Sequence, residues 1–147
     1  MSYSSEDIAA LAEGLVSHTL PKEQWTHAAH LAATLRLVRT RDAGLERDLP
    51  EIIRTYNVSV GGVNDDQGGY HETITQAYLA AIRAFVAALP PGASDAQAVT
   101  RLLASPMGDK AWPLTYWSRE RLFSVEARRG WVEPDLKALE HPKIPLS

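Results

Sequence analysis

Apolar residues recur at three- and four-residue intervals along most of this chain, and the runs are separated by glycine, proline and polar clusters. Ile8, Leu11 and Leu15 make the first run. It follows Ser4 and Ser5 and carries Glu6 and Asp7 in its opening turn, where carboxylates meet the positive end of the helix dipole. A short amphipathic helix ending near His18 is predicted. Pro21 then opens PKEQWTHAAHLAATLRLVRTR, with a proline suited to a first turn and arginines gathered at the C-terminal end. Between Ala28 and Val38 this stretch is apolar nearly all round, the pattern of a central, buried helix.

A third helix is predicted from Leu49 or Pro50 to about Asn57, with Ile52, Ile53 and Tyr56 facing inward. The following GGVNDDQGG has four glycines in nine residues and reads as a mobile loop. A fourth helix runs from about Tyr70 to Leu89, where PPG at 90–92 stops it. Ser94 with Gln97 forms a capping box for a fifth, Asp95 to about Ala104. Beyond Pro106 the pattern breaks into DKAWPLTYW, SRERLF and SVEARRGW, with Ser118 and Ser124 as candidate N-caps. No alternating run exceeds four residues, so the expected fold is all-α: one domain over residues 1–147, a bundle of five or six helices with an irregular C-terminal segment.

Composition narrows what such a bundle does. The 147 residues are 45% apolar and 22% charged, ordinary for a globular chain, and the net charge of -3 gives no electrostatic reason to expect a nucleic-acid partner. With no cysteine, disulfides, thiolate metal sites and cysteine nucleophiles are excluded. No apolar run approaches the roughly 20 residues that span a bilayer, and the N-terminus lacks the pattern of a secretory signal. The expectation is a cytoplasmic protein with no membrane partner.

Histidine placement is the most informative chemical feature. Five occur, at 18, 27, 30, 71 and 141, and three of them fall near the starts of the second and fourth helices. His27 and His30 are three apart, so their side chains diverge by only about 60° and share a helix face. His71 sits in a first turn, where the dipole disfavours imidazolium and keeps the ring neutral, as a metal or a proton acceptor requires. If the two helices pack side by side, His27, His30 and His71 form a centre for a divalent metal such as Zn, Fe or Ni, with Glu72 as fourth ligand or general base. Tyr70 and Thr75 are further catalytic candidates beside it. Tyr116, Arg119 and Arg121, in the aromatic and arginine-rich segment, are candidates for holding the substrate.

Two local motifs fail. HETIT is not the zinc-protease HExxH, because Thr75 stands where the second histidine belongs. The same threonine occupies the position at which a calcium loop counted from Asn64 needs its bidentate glutamate. The expected function is therefore a small metal-dependent enzyme, of hydrolase type or performing an iron-dependent oxidation, acting on a small polar molecule. Two alternatives stand beside it. One is a metal-free pocket that binds a small, anionic ligand or performs acid–base chemistry with Arg119 or Arg121 nearby. The other is a helical interaction module whose histidines are structural.

The segments WTHAAHL, GGYHETIT and YWSRERLFSVEARRGWVEPDL together resemble a family of small helical bacterial proteins. Its members pair an aromatic-Thr-His-x-x-His segment with Tyr-His-x-Thr-x-Thr and close on a Ser-x-Glu-Arg-Leu-Phe-Ser and Glu-Pro-Asp tail. The resemblance runs from about Trp25 to Leu139 and falls on Thr26, His27, His30, Tyr70, His71, Thr73, Thr75, Ser118, Arg121 and Glu133 to Asp135. It implies a kinship and a helical fold, and no particular reaction.

Overall fold

The computed structural model describes residues 2–41 and 43–139. Among them no strand forms. The α-helices are α1 Ser5–Ser17, α2 His27–Arg41, α3 Leu45–Ser59, α4 Glu72–Ala87, α5 Asp95–Ala104, α6 Arg119–Leu122 and α7 Val125–Arg129, with 3-10 turns at Lys22–Gln24, Pro106–Gly108 and Trp112–Thr115. This is the all-α bundle the periodicity predicts: five substantial helices, then two short ones in the irregular C-terminal region. No helix is long and apolar enough to cross a membrane.

α2 is the axis of the bundle and packs against α1, α3, α4 and α5. Its composition explains the position. Ala29, Leu31, Ala32, Ala33, Leu35 and Leu37 are all buried, so the leucines gain roughly 1.5–3 kcal/mol each from leaving water while the alanines let neighbours approach on several sides. The far end is tied by charge: Arg36 and Arg39 each donate to Asp95, at 2.8 and 2.9 Å, fastening the end of α2 to the start of α5. The predicted caps form as expected. Ser94 and Gln97 make a capping box on α5, while Ser118 and Ser124 accept backbone N–H bonds at the starts of α6 and α7.

Three boundaries differ from expectation, each for a local reason. Pro21 opens only the 3-10 turn; Trp25 then leaves the helical region at φ -87°, ψ 70°, and α2 begins at His27. Thr26 makes the fresh start, its hydroxyl accepting from the Ala29 N–H at 3.1 Å and its carbonyl from the His30 N–H at 2.9 Å. α3 begins at Leu45, which leaves Pro50 inside the helix rather than at its first turn. Proline cannot donate to the carbonyl four residues back. That carbonyl, of Glu46, instead accepts from Gln76 Nε2 of α4 at 3.0 Å, and the Glu46 carboxylate pairs with Arg83 on the same helix. α4 begins at Glu72, two residues later than Tyr70, because His71 is its N-cap.

The glycine loop expected to be mobile is tied down. Asn64 Oδ1 accepts from both Asn57 Nδ2 and the Tyr70 N–H, and its Nδ2 donates to the Arg54 carbonyl. Gly69 lies in the left-handed region at φ 82°, and a Cβ there would stand 2.3 Å from the Val63 carbonyl oxygen, so no other residue fits without moving the backbone. From the other side Arg128 donates to the Gly69 and Tyr70 carbonyls, and Arg129 pairs with Asp66.

Candidate functional site

α2 and α4 pack side by side, as the apolar patterns of both helices lead one to expect. The three histidines nevertheless do different jobs. His71 precedes α4 with extended backbone, and its Nδ1 accepts the Ile74 N–H at 3.2 Å. Its Nε2–H donates to the Leu122 carbonyl of α6 at 2.7 Å. Both ring nitrogens are thereby used, one tautomer is specified, and no lone pair is left for a metal or a proton. Burial is the main cause that holds the His71 pKa below its ordinary value, with Arg128 adding to the effect. The ring is neutral, as expected, but it serves as a helix cap and a brace.

His27 is the first residue of α2, and its Nε2–H donates to the Met107 carbonyl at 3.0 Å. In that tautomer Nδ1 keeps its lone pair. The ring meets Tyr78 of α4 edge-on, with centroids 5.5 Å apart. His30, one turn further along α2, packs instead on Trp25 at 4.8 Å, and Trp25 packs on Tyr56 at 5.4 Å. The His30 ring makes no hydrogen bond among the described residues. Burial, with a smaller contribution from His27, lowers its pKa to about 4. Among the described residues no three histidine, aspartate or glutamate side chains lie together as a group able to hold a metal ion. The expected convergence of His27, His30 and His71, with Glu72, on one ion is therefore not what the geometry provides.

The remaining candidates separate in the same way. Tyr70 is buried, its hydroxyl donates to Glu72 Oε1, and the Arg54 guanidinium lies 4.4 Å above its ring. Burial, then the bond to Glu72, raises the Tyr70 pKa. Glu72 Oε2 also accepts from Gln76. Tyr70 and Glu72 thus satisfy one another. Thr73 donates to the Gly130 carbonyl and accepts from the Val132 N–H, so the polar face of HETIT docks the C-terminal segment. Arg121 has the same role: its Nε donates to the Glu133 carbonyl at 2.6 Å. Arg119 is exposed on α6. Of the other histidines, His18 forms the left-handed C-cap of α1 and His141 lies outside the described residues.

Tyr116 is placed differently. It is buried, edge-on to Trp112 at 5.2 Å and to Trp117 at 6.3 Å, with the Lys137 ammonium 5.3 Å from its ring centroid. Trp112 in turn lies 4.9 Å from Tyr78. Met107, Trp112 and Tyr116 line a cavity of about 260 Å³ that also borders Ala81, Ala84 and Phe85 of α4.

Tyr78 is the residue sequence reasoning undervalued. It is 6% exposed, and its hydroxyl is the one buried side-chain polar atom among the described residues without a hydrogen-bond partner. Burial, and then the negative charge of Asp109, push its pKa up, so the phenol stays protonated. Its position seven residues after His71 marks it as a neighbour on the same helical face, but nothing in that spacing announces an orphaned hydroxyl. Compared with protein-family models, with curated proteins and with solved structures, the chain matches none of them.

Proposed function

We propose that this protein binds a small, uncharged, hydrogen-bonding molecule at the corner formed by His27 and Tyr78, a metal-free pocket able to perform acid–base chemistry. The observation that carries the reading is the buried Tyr78 hydroxyl without a partner. A phenol left so costs roughly 1–3 kcal/mol, and a native orphan of this kind calls for an explanation such as a ligand, a water or a catalytic role. Beside it, the bond from His27 to Met107 leaves Nδ1 as an acceptor. The corner thus presents a protonated phenol as a hydrogen-bond donor and an imidazole nitrogen as an acceptor, the imidazole being the group able to take up a proton.

Neutral rings also change the expected ligand. His30 stays uncharged down to a pH of about 4, so it offers no cation to an anion. Of the two arginines expected near such a ligand, Arg121 donates its Nε–H to the Glu133 carbonyl and Arg119 is exposed on α6, and neither lines the Met107 cavity. An uncharged donor fits this chemistry better than an anionic ligand.

Ligand-observed NMR with a set of small alcohols, phenols and amides tests the proposal. Binders should be lost on Tyr78→Phe and on His27→Phe while the fold is retained. Binders indifferent to both substitutions, or no binders at all, would remove it. Metal content is a parallel check: protein prepared without a histidine tag should carry well below one equivalent of Zn, Fe or Ni. A full equivalent lost on both His27→Ala and His71→Ala would restore the single-centre enzyme instead.

A further inference from the structure

Among the described residues, no charged side chain lines the cavity of about 260 Å³ beside Met107. The grooves elsewhere differ: one borders Arg101, another Arg36 and Arg41, and a third Glu120, Arg121 and Asp135. An ion entering the Met107 cavity would give up its hydration and find no charged side chain among the described lining residues, the Lys137 ammonium lying over the Tyr116 ring outside that lining. Its walls are instead the rings of Phe85, Trp112 and Tyr116, the Met107 side chain, Pro106 and the alanine methyls of α4, with Ser105, whose hydroxyl donates to the Leu102 carbonyl, as the one polar side chain among them. Aromatic walls favour an aromatic guest, stacked or edge-on. For scale, an apolar cavity of about 150 Å³ accepts benzene, so this one has room for one or two fused rings.

Two wall residues join the cavity to the polar corner. The Met107 carbonyl is the acceptor for His27, and the Trp112 ring packs on Tyr78. Ala81 of the wall stands three residues after Tyr78, on the same side of α4. We propose that this cavity binds a small uncharged aromatic molecule of one or two rings that carries one hydrogen-bond donor, of the phenol or indole class, with its ring against Trp112 and Tyr116. The donor's engagement by His27 and Tyr78 rests on the function proposed above; the ring's place in the cavity does not.

Four probes test both parts: phenol, indole, toluene and benzoate, titrated into protein with ¹³C-labelled alanine methyls. Phenol and indole should shift Ala81 and Ala84 saturably, and benzoate should not. Ala84→Leu, a helix-compatible substitution that fills the space, should weaken phenol at least tenfold, with an unchanged circular dichroism spectrum as the control for folding. Tyr78→Phe should weaken phenol and leave toluene unchanged. If toluene and phenol bind alike and Tyr78→Phe affects neither, the cavity stands and the polar corner falls. Benzoate binding as well as phenol, shifts confined to other alanines, indifference to Ala84→Leu, or no saturable shift from any probe would each overturn the cavity assignment, leaving the corner to its own test.

Discussion

Two buried phenols show how unequal chemically identical groups become once placed. The Tyr56 hydroxyl donates to the Leu20 carbonyl at 3.0 Å, whereas the Tyr78 hydroxyl has no partner. Tyr56→Phe should therefore cost about 1–2 kcal/mol, since it leaves a buried acceptor unpaired, while Tyr78→Phe should be neutral or stabilising by up to about 1 kcal/mol. Urea unfolding of the two variants against the wild type measures both; a loss at Tyr78 as large as that at Tyr56 would mean that the Tyr78 hydroxyl is bonded in solution. His71 offers a finer dissection. Alanine removes the cap on Ile74 and the bond to Leu122, for an expected loss of about 2–3 kcal/mol, and asparagine, which can still cap, should recover roughly half. Equal losses for His71→Ala and His71→Asn would show that the cap contributes nothing.

Helix ends and helix partners raise a different kind of question, because there one element repairs what another lacks. Pro50 deprives the Glu46 carbonyl of its intrahelical donor, and Gln76 of α4 supplies one. The two positions should be coupled. Gln76→Ala alone is expected to cost about 0.5–1 kcal/mol, but much less when combined with Pro50→Ala, which returns an N–H to the helix. A double-mutant cycle with no coupling energy would place the repair elsewhere. The junction GGYHETIT works by the same logic. Asn64 and Arg128 hold its backbone, His71 caps α4 and braces α6, and Thr73 receives the segment after α7. The stretch thereby joins the bundle to its C-terminal segment.

For the protein as a whole, acid should act through the buried imidazoles first. The pKa values of His30 and His71 lie below the unfolded value of 6.5, so the unfolded chain binds more protons between the two limits and stability falls as pH drops. That stability is fully present above pH 6.5. For His30 the loss continues to a pH of about 4, at up to roughly 1.4 kcal/mol per pH unit. Glu46, whose pKa is lowered beside Arg83, adds to it only below the ordinary glutamate value of 4.5. Urea midpoints measured from pH 7.5 to 4.5 should trace this slope, and His30→Leu should flatten it; a profile unchanged by that substitution would assign the slope to other groups. Much of this architecture was readable in advance. The all-helical class, the buried central helix, the α5 capping box and the serine caps at 118 and 124 all follow from periodicity and capping chemistry, which act over four residues or fewer. The adjacency of the helices that carry His27, His30 and His71 was readable too. Where each ring nitrogen points was not, because that depends on carbonyls far away in the chain: Met107 for His27 and Leu122 for His71, 80 and 51 residues off. Residue type and spacing limit which side chains share a helix face. Only the packing of α2, α4 and the C-terminal turns decided that His71 is spent on the backbone, that Tyr78 is buried without a partner among the described residues, and that a cavity with no charged side chain among its described walls opens beside them.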